Sequence, residues 1–271
     1  MGIQVDDNWW QNLFDEIYLM TDARSVCDEK LTCQEVDFLE ETLDLDKSAS
    51  ILDLCGGQGR HSLELSRRGF MNVTVLDYSR YLIDLGGKRA KQEGLNTIFI
   101  QGDARNTGLP GQSFQFIIIM ASSFGYFVNE DENKKILSET FRLLMPKGTF
   151  LLDLPERDYV LQNFKSFSYH KVNEDITVNR ERELRGDIVY SREMVISPKR
   201  GCIRDKTYCI RLYNPEKISD LMYSAGFSSV TCQRNFMNRE AEGDYGCMTN
   251  RMLVTAKRNL KTQAALSPKD Y

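Results

Sequence analysis

Short apolar runs alternate with amphipathic stretches between residues 48 and 154. The apolar runs are rich in Ile, Val, Leu and Phe and predict strands at 50–54, 72–77, 97–103, 114–121 and 148–154. The stretches between them carry apolar residues at helical spacing and predict helices at 60–69, 79–93 and 131–145. Nearly continuous apolar strands separated by helices are typical of a parallel sheet that is buried on both faces.

Alternation of polar and apolar residues replaces this pattern after residue 164. Strand-like segments follow at 175–183, 187–197 and 204–213, with turn-forming sequences between them. Because Ile176 and Val178 alternate with polar neighbours, we expect an antiparallel meander with one solvated face. The meander carries arginines that could receive an acidic substrate, although charge on a strand is usually solvated: Arg180, Arg182, Arg192, Arg204 and Arg211.

A helix at 215–225 and strands at 228–237 and 250–257 complete the pattern. The fold class predicted is α/β, with a doubly wound, mostly parallel seven-stranded sheet and an inserted antiparallel β meander. We expect a helical lid over 1–46, a core over 47–163 and 214–258, the insertion over the ligand site at 164–213, and a tail at 259–271.

Two features of the N-terminal segment have local interpretations. The sequence TCQE predicts a capping box, in which Thr32 and Glu35 satisfy free amides at the start of a helix. Trp9 and Trp10 could cap a ligand pocket, but a hydrophobic staple for the first helix is the favoured interpretation.

Composition narrows the function classes. The formal charge of −4 argues against a nucleic-acid binder, which needs a basic face to engage phosphates. The seven cysteines are scattered without metal-ligand spacing, and there are two histidines, so we expect reduced thiols and no metal site. The longest apolar run (116–121) is too short to cross a bilayer, and the N-terminus lacks the pattern of a secretory signal. We therefore expect a cytoplasmic protein without a membrane partner.

The first predicted strand leads into a glycine-rich loop, DLCGGQGRHS (53–62). Such a loop could bind a dinucleotide, bind S-adenosylmethionine, or be a tight turn without a ligand. No register places glycines at the offsets of the dinucleotide fingerprint. Asp53 would repel a pyrophosphate but attract an ammonium, and a helix N-terminus favours a carboxylate. Both groups belong to S-adenosylmethionine.

Two more acids follow at the ends of the next predicted strands. Asp77 ends the second strand, where a carboxylate can bind ribose hydroxyls, and Asp103 ends the third, where it could accept from an adenine amino group. Either acid alone is more readily interpreted as a helix N-cap or as a solvated acid in a loop. Because parallel strands end at one edge of a sheet, all three acids together indicate a single crevice that binds a nucleoside.

The chain resembles the class I S-adenosylmethionine-dependent methyltransferases, in particular a bacterial branch that acts on small molecules. The matching motifs are ILDLCGGQGRHSLELSRRGF (51–70), VTVLDYS (73–79), GDARN (102–106), FQFIIIMASSFGYF (114–127) and LLMPKGTFLLDL (143–154). One departure is Cys55, which stands where the wider superfamily usually has a glycine. The resemblance implies a Rossmann-like methyltransferase fold and S-adenosyl-L-methionine as the cofactor.

The resemblance also implies roles for particular residues. Gly56, Gly57 and Gly59 would line the methionine part, and Asp77 would bind the ribose, with Tyr78 against the adenine. Asp103 and the Ala104 amide would contact the adenine edge, and Met120 and Ala121 would approach the cofactor from the fourth strand. Arg60 would pair with the carboxylate of the cofactor or of a substrate, or would be solvated. Tyr18 and Tyr126 are the candidate catalytic residues, able to orient an amine or a hydroxyl, or they only pack.

These expectations favour an enzyme that transfers a methyl group to nitrogen or oxygen of a small-molecule acceptor. A non-catalytic S-adenosylmethionine-binding protein remains an alternative, because methyl transfer to an amine needs no general base. A nicotinamide-dependent oxidoreductase is a weaker alternative, since the dinucleotide fingerprint fails. The acceptor and the oligomeric state are left open.

Overall fold

The computed structural model describes residues 2–236 and 249–259. The helices are α1 (Glu16–Thr21), α2 (Ala23–Val26), α3 (Glu29–Leu43), α4 (Arg60–Arg67), α5 (Arg80–Glu93), α6 (Glu130–Leu143), α7 (Arg157–Gln162) and α8 (Pro215–Ser224), preceded by a 3-10 turn (Trp9–Gln11). The strands are β1 (Ser50–Leu54), β2 (Asn72–Asp77), β3 (Ile98–Gln101), β4 (Phe114–Ile119), β5 (Leu144–Pro155), β6 (Phe167–Lys171), β7 (Thr177–Arg185), β8 (Ile188–Ser197), β9 (Gly201–Arg211), β10 (Ser228–Phe236) and β11 (Arg251–Lys257).

The main sheet has seven strands in the order β10-β11-β5-β4-β1-β2-β3. Strands β1 to β5 pair in parallel, whereas β11 is antiparallel to β5 and β10 is antiparallel to β11. The predicted fold class is confirmed. The strand order reverses between β1 and β4, and ligands of open α/β sheets bind beyond the carboxyl ends of the strands at such a reversal.

Helices cover both faces of this sheet. Val36 and Leu39 of α3 pack with Ile51 and Ile118 on one face, together with α4. On the other face, α6 and α8 bury their apolar residues against the alternate side chains of the same strands. Burial on both faces explains why β1, β4 and β5 are apolar at nearly every position.

A second sheet contains four antiparallel strands in the order β6-β7-β8-β9. It lies in the chain between β5 and α8, where the sequence predicts the meander. Residue 237 of a predicted strand, residues 260–271 of the predicted tail, and Cys247 lie outside the described residues. Where the chain is described, every cysteine is a free thiol, and no helix is long and apolar enough to span a membrane.

The predicted capping box is wrong. Helix α3 begins at Glu29, and its N-cap is Asp28, whose carboxylate accepts from the Leu31 amide at 3.0 Å. Thr32 and Glu35 therefore lie inside the helix, and Glu35 is completely buried. Its position facing α4 follows from tertiary ion pairs, which a local sequence motif does not contain.

The fourth strand also ends earlier than predicted, at Ile119 rather than at residue 121. Ala121 and Ser122 both have φ of +58°, in the left-handed region. A strand cannot continue through such a conformation. The apolar run FIIIMA therefore contains both the end of a strand and the beginning of a turn.

Two adjacent glycines of α5 provide a matched test of packing. A Cβ on Gly86 would lie 2.2 Å from Phe99 Cε1 and 2.6 Å from the backbone oxygen of Gln58, whereas a Cβ on Gly87 would come no closer than 4.0 Å to Phe99. We expect Gly86→Ala to lower the free energy of unfolding by about 1–3 kcal/mol because it overpacks the site. Gly87→Ala should raise it by about 0.5–1 kcal/mol, since alanine favours the helix. Urea unfolding at pH 7.5 measures both; equal effects would contradict the packing.

Candidate active site

The glycine-rich loop continues directly from the carboxyl end of β1. Backbone amides of Cys55 and Gly56 donate to the Leu76 carbonyl of β2, at 2.8 and 3.3 Å, which ties the loop to the next strand. Cys55 has φ of +60°, a conformation that glycine adopts without strain. This positive φ explains why related sequences usually have a glycine at the position of Cys55.

Asp53 lies beneath this loop and is fully buried. Its Oδ2 accepts from the Ser62 hydroxyl of α4 at 2.8 Å, whereas its Oδ1 has no partner among the described residues. A Cβ on Gly56 would lie 2.6 Å from the Asp53 Cγ, so only glycine leaves the carboxylate this room. Burial raises the pKa of Asp53 to about 7, against the opposing effects of Ser62 and Arg60. A cationic ligand group would be stabilised beside it.

Asp77 ends β2 and holds the loop from the other side. Its Oδ2 accepts from the Gly57 amide and its Oδ1 from the Ser79 amide, each at 2.8 Å. Burial raises the pKa of Asp77, and these backbone bonds partly oppose the rise. Each carboxylate oxygen still has a lone pair, so the group can accept from two ligand hydroxyls.

Asp103 follows β3 and is engaged by its neighbour Arg105. The Arg105 guanidinium donates to both carboxylate oxygens, with the shortest bond at 2.6 Å. Burial would raise the pKa of Asp103, but Arg105 holds it below its usual value. The same guanidinium lies 4.8 Å from the rings of Trp10 and Phe127. The sequence motif does not reveal this pairing.

Arg60 begins α4 and is largely buried. Its Nη1 lies 2.5 Å from Glu35 Oε2 and donates to Thr32 Oγ1 at 3.0 Å. Its Nη2 has no partner in the part of the chain that the structure describes. The interpretation of Arg60 as a solvated residue is therefore wrong. Glu35 and Thr32 fix its Nη1, and its Nη2 can donate hydrogen bonds to a ligand.

A cavity, which we call the first cavity, lies at the carboxyl ends of β1 to β4. It is lined by these predicted residues: Tyr18, Asp53, Gly56, Gly57, Arg60, Asp77, Tyr78, Asp103, Ala104, Met120, Ala121 and Tyr126. Gly59 is the predicted residue that does not line it. With φ of +70°, Gly59 instead lets the loop approach β3, where a Cβ would lie 2.7 Å from Phe99 Cε1.

A second cavity adjoins the first. The two share Phe14, Tyr18, Val26, Ala121 and Tyr126, which therefore form their junction. Its remaining wall consists of Trp9, Leu13, Asp22, Ser122 and residues of the antiparallel sheet, namely Arg180, Arg182, Ser191, Glu193, Tyr208, Cys209 and Ile210.

The antiparallel sheet directs arginines toward this second cavity. Arg180 and Arg182 are buried, and Arg180 pairs with Asp22 at 3.0 Å and with Glu193 at 2.8 Å. Arg204 is also buried and pairs with Asp15 at 2.9 Å. The expectation that charge on these strands is solvated is wrong for these three arginines.

Trp9 and Trp10 contact the cavities rather than stapling a helix. Trp9 lines the second cavity and donates from Nε1 to the Tyr126 carbonyl at 3.2 Å. Trp10 lines the first cavity, with its ring centroid 4.5 Å from that of Tyr78. The staple interpretation is wrong, because the tertiary contacts of both rings lie at the site.

The phenols at the junction are held in their protonated form. Burial raises the pKa of Tyr18 well above its usual value, with a further rise from Asp22. Burial likewise raises the pKa of Tyr126. Both groups can donate a hydrogen bond at neutral pH but are poor bases there.

Three buried charges lie behind the site, where no charged residue was predicted from the sequence. Arg251 of β11 pairs with Asp153 of β5 at 2.6 Å and with Glu35 of α3. All three are completely buried. Charged residues inside the apolar strands LLDL and RMLV are the available signal, since a charge at such a position needs a partner.

Comparisons with known proteins agree with this geometry. Residues 51–148 match a family model described as a methyltransferase domain. A glycine/sarcosine N-methyltransferase from Halorhodospira halochloris is 26% identical over 219 residues, covering 78% of each chain. A similar protein of that description from Aphanothece halophytica is 23% identical over 213 residues, again covering 78% of each. The crystal structure of an S-adenosylmethionine-dependent methyltransferase from Clostridium acetobutylicum ATCC 824 has the same fold, with a TM-score of 0.72 at 18% identity, covering 90% of this chain and 97% of that one.

The fold and the site define a nucleoside-binding α/β enzyme of the methyltransferase type. The matched methyltransferase domain lies in the core of the chain, which is an S-adenosylmethionine-dependent methyltransferase with S-adenosylmethionine as its cofactor.

The residues of the first cavity fit this cofactor. Asp53 Oδ1 and Arg60 Nη2 are buried and have no partner where the chain is described, and they suit an ammonium and a carboxylate. Asp77 offers acceptors for two ribose hydroxyls. Because these donors and acceptors are already fixed in place, a ligand with complementary groups can bind without rearrangement of the side chains.

Asp53 makes opposing contributions to stability and binding. Its folded-state pKa of about 7 exceeds the usual aspartate pKa of 3.8, so the free protein loses stability as pH rises between these values. We expect Asp53→Asn to raise the free energy of unfolding of the free protein by about 1–3 kcal/mol at pH 8, because a buried, incompletely paired charge is removed. Its affinity for S-adenosylhomocysteine should fall at least about tenfold, equivalent to ~1.4 kcal/mol.

Urea unfolding and titration calorimetry at pH 8 measure these two effects. The exposed Asp84, which pairs with Arg80 on α5, supplies the control variant Asp84→Asn. Unchanged affinity in Asp53→Asn would show that Asp53 does not bind the ammonium.

Proposed function

We propose that this methyltransferase transfers a methyl group to nitrogen or oxygen of a small-molecule acceptor that binds in the second cavity. The observation that carries the proposal is the construction of this cavity. Its wall contains many buried side chains, and it joins the first cavity past Tyr18 and Tyr126. A pocket with a largely buried lining favours a small molecule over a nucleic-acid strand.

The similarity to glycine/sarcosine N-methyltransferases supports a small acceptor. The net charge of −4 disfavours nucleic acid as the substrate. The free cysteines suit a reducing compartment, and we place the enzyme in the cytoplasm on that ground.

We assign residues 1–46 as a lid and 164–213 as an insertion that closes the site. The first segment is fastened across both cavities: Ser79 Oγ donates to the Phe14 carbonyl at 2.6 Å, and Gln58 Nε2 donates to the Val26 carbonyl at 2.7 Å. On the side of the insertion, Arg180 holds Asp22. Closure of this kind excludes water from a reactive centre.

When bound, S-adenosylmethionine supplies a sulfonium methyl group for an in-line displacement. The task of the chain is to position the acceptor and to exclude water, and such positioning can contribute about 7–11 kcal/mol. Phe14 stacks on Tyr126 with ring centroids 5.7 Å apart, and Trp9 packs 5.1 Å from the same ring. These rings give the junction a rigid aromatic wall.

The protonation of the phenols favours an amine acceptor over a hydroxyl. A neutral amine attacks without a base, whereas a hydroxyl must lose a proton. Tyr18 and Tyr126 stay protonated, and the Glu193 carboxylate is occupied by Arg180. The two phenols would therefore orient the nucleophile by donating hydrogen bonds to it.

Transfer of tritium tests the function. The protein is incubated with methyl-tritiated S-adenosylmethionine and the fraction of a cell extract that passes a small-molecule filter. We expect label in a low-mass product, and Asp77→Ala should weaken cofactor binding at least about tenfold because it removes the anchor of the loop and the ribose acceptors. Label only in macromolecules would contradict a small acceptor. Absence of cofactor binding by calorimetry would contradict the site itself.

The role of Tyr126 is tested by removing its hydroxyl. We expect Tyr126→Phe to lower kcat/KM by about 3–10-fold, the value of one hydrogen bond, to the same extent at every pH from 6 to 9. Tyr213 is a matched control, since it is fully buried beside Phe124 and lines neither cavity. A variant that abolished the dependence of the rate on pH would instead identify Tyr126 as the base.

A further inference from the structure

The turn after β4 adopts a conformation that does not form spontaneously. Ala121 and Ser122 are consecutive residues with φ of +58°, and the Ser123 amide closes the turn on the Met120 carbonyl at 3.3 Å. Left-handed backbone costs about 1–2 kcal/mol for each residue other than glycine. Contacts elsewhere must therefore hold this turn.

Asp153 supplies that contact from the neighbouring strand. Leu152 of β5 is in register with Ile119 of β4, so Asp153 stands one residue further toward the turn. Its Oδ2 accepts from the Ala121 amide at 2.8 Å and from Arg251 Nη1 at 2.6 Å. Its Oδ1 has no partner among the residues described, so one oxygen makes both bonds.

The turn lies where the two cavities meet. Ala121 lines both cavities, and Ser122 lines the second. The Ser122 hydroxyl is buried and has no hydrogen-bond partner in the described parts of the chain. A buried hydroxyl without a partner is costly unless a ligand completes its hydrogen bonding.

A chain of buried charges fixes Asp153 in turn. Arg251 joins it to Glu35 of α3, and Glu35 also accepts from His61 and pairs with Arg60 at the first cavity. Burial and the adjacent Arg60 lower the pKa of His61 to about 4, so this imidazole is neutral. Two arginines and two carboxylates then balance one another.

We propose that Asp153 is a positioning residue for methyl transfer, which holds the Ala121–Ser122 turn so that the Ser122 hydroxyl contacts the acceptor in the second cavity. The inference rests on the proposed function, since it requires an acceptor in that cavity. Arg251 acts through Asp153, Glu35 contacts Arg251 and Arg60, and neither Arg251 nor Glu35 lines either cavity. The acceptor accordingly has a hydrogen-bonding group near its methylated atom.

Two substitutions separate this role from a contribution to stability. In Asp153→Asn, the amide oxygen can take the place of Oδ2 and keep both bonds, while the amide nitrogen occupies the place of the unpartnered oxygen. The double variant Asp153→Leu, Arg251→Met removes the acceptor of the Ala121 bond. Replacing a whole buried ion pair by apolar residues is often neutral for stability, and Glu35 keeps Arg60 and His61.

Each variant is examined with probes that do not need an identified acceptor. The dissociation constant of S-adenosylhomocysteine is measured by calorimetry, and the bound methyl group of methyl-13C S-adenosylmethionine by NMR. The rate of tritium transfer is measured over dilutions of the low-mass extract fraction, which separates an apparent kcat from an apparent KM. Glu139→Gln is the control, because Glu139 is a buried carboxylate that bonds Thr107 and Arg142 away from both cavities.

We expect Asp153→Asn and Glu139→Gln to stay within about threefold of the unmodified protein in affinity and rate. The double variant should bind S-adenosylhomocysteine within about threefold, but its bound methyl resonance should shift and its transfer rate should fall at least tenfold. Ser122→Ala should raise the apparent KM of the extract fraction and leave the cofactor affinity unchanged. If the double variant does not fold, Asp153→Glu serves instead, since a longer carboxylate keeps the charge for Arg251 and displaces the turn.

An unchanged methyl resonance and rate in the double variant would overturn the proposal. Equal losses of cofactor affinity and rate would also overturn it, because they would assign Asp153 a structural role alone. Failure of the unmodified protein to bind S-adenosylmethionine would instead contradict the proposed function. Cofactor binding without a labelled small molecule would contradict the acceptor class, while the NMR comparison would still decide the role of Asp153.

Discussion

The buried guanidinium of Arg251 is the interaction on which the arrangement of the site depends. It joins three elements that are distant in the chain: β11, β5 through Asp153, and α3 through Glu35. Removing an arginine and two carboxylates from water is expensive, and the loss of any one partner alone would leave an uncompensated buried charge. The position of α3 on the sheet is therefore fixed by charge as well as by apolar burial. Because Glu35 also holds Arg60, the same contacts place the first turn of α4 beside the glycine loop.

A second constraint arises from the carboxylates at the strand ends. Asp53 is fully buried and Asp77 is half-buried, and desolvation raises the pKa of each in the free protein. Such groups disfavour folding and favour a ligand that carries a cation or hydroxyl donors, so the bound cofactor stabilises the folded state in proportion to how far its concentration exceeds its dissociation constant on a logarithmic scale. Asp103 differs because Arg105 already compensates its charge. In the first cavity, the charges that lack a compensating partner therefore lie at the end near the glycine-rich loop, and a bound ligand stabilises that end most.

The cofactor side of the site could be predicted from the sequence because a local rule generates it. Consecutive parallel strands end at one edge, and Asp53, Asp77 and Asp103 lie at or just after three such ends, so their meeting follows from topology alone. The apolar pattern also gave the strands of the main sheet to within a few residues. The capping-box interpretation of Glu35 failed because its partner Arg251 is 216 residues away in the chain, and no local pattern encodes that distance. The end of β4 at Ile119 could not be predicted from the local sequence either, because the Ala121 amide is held by Asp153, which lies on another strand.

The lining of the second cavity could be predicted only in part. The alternation of residues indicates the two sides of a strand, but it does not show which of the two sides is buried. Val178 of β7 lies on the same side as Ile176, which precedes the strand, and continuing the period of two places Arg180 and Arg182 on that side too. The alternation is consistent with this shared side, but the usual exposure of arginine suggested a solvated environment for Arg180 and Arg182, which was wrong. The face is buried because the N-terminal segment covers it and supplies Asp22 to Arg180, a contact between residues 158 apart. The second cavity is formed by the N-terminal segment, the turn after β4 and the antiparallel sheet. Substitutions in these segments can change its lining without disturbing the strand ends at the first cavity. This separation is the physical reason why one sheet can retain one cofactor while the acceptor differs, and why the acceptor has to be identified from the pocket rather than from the motifs.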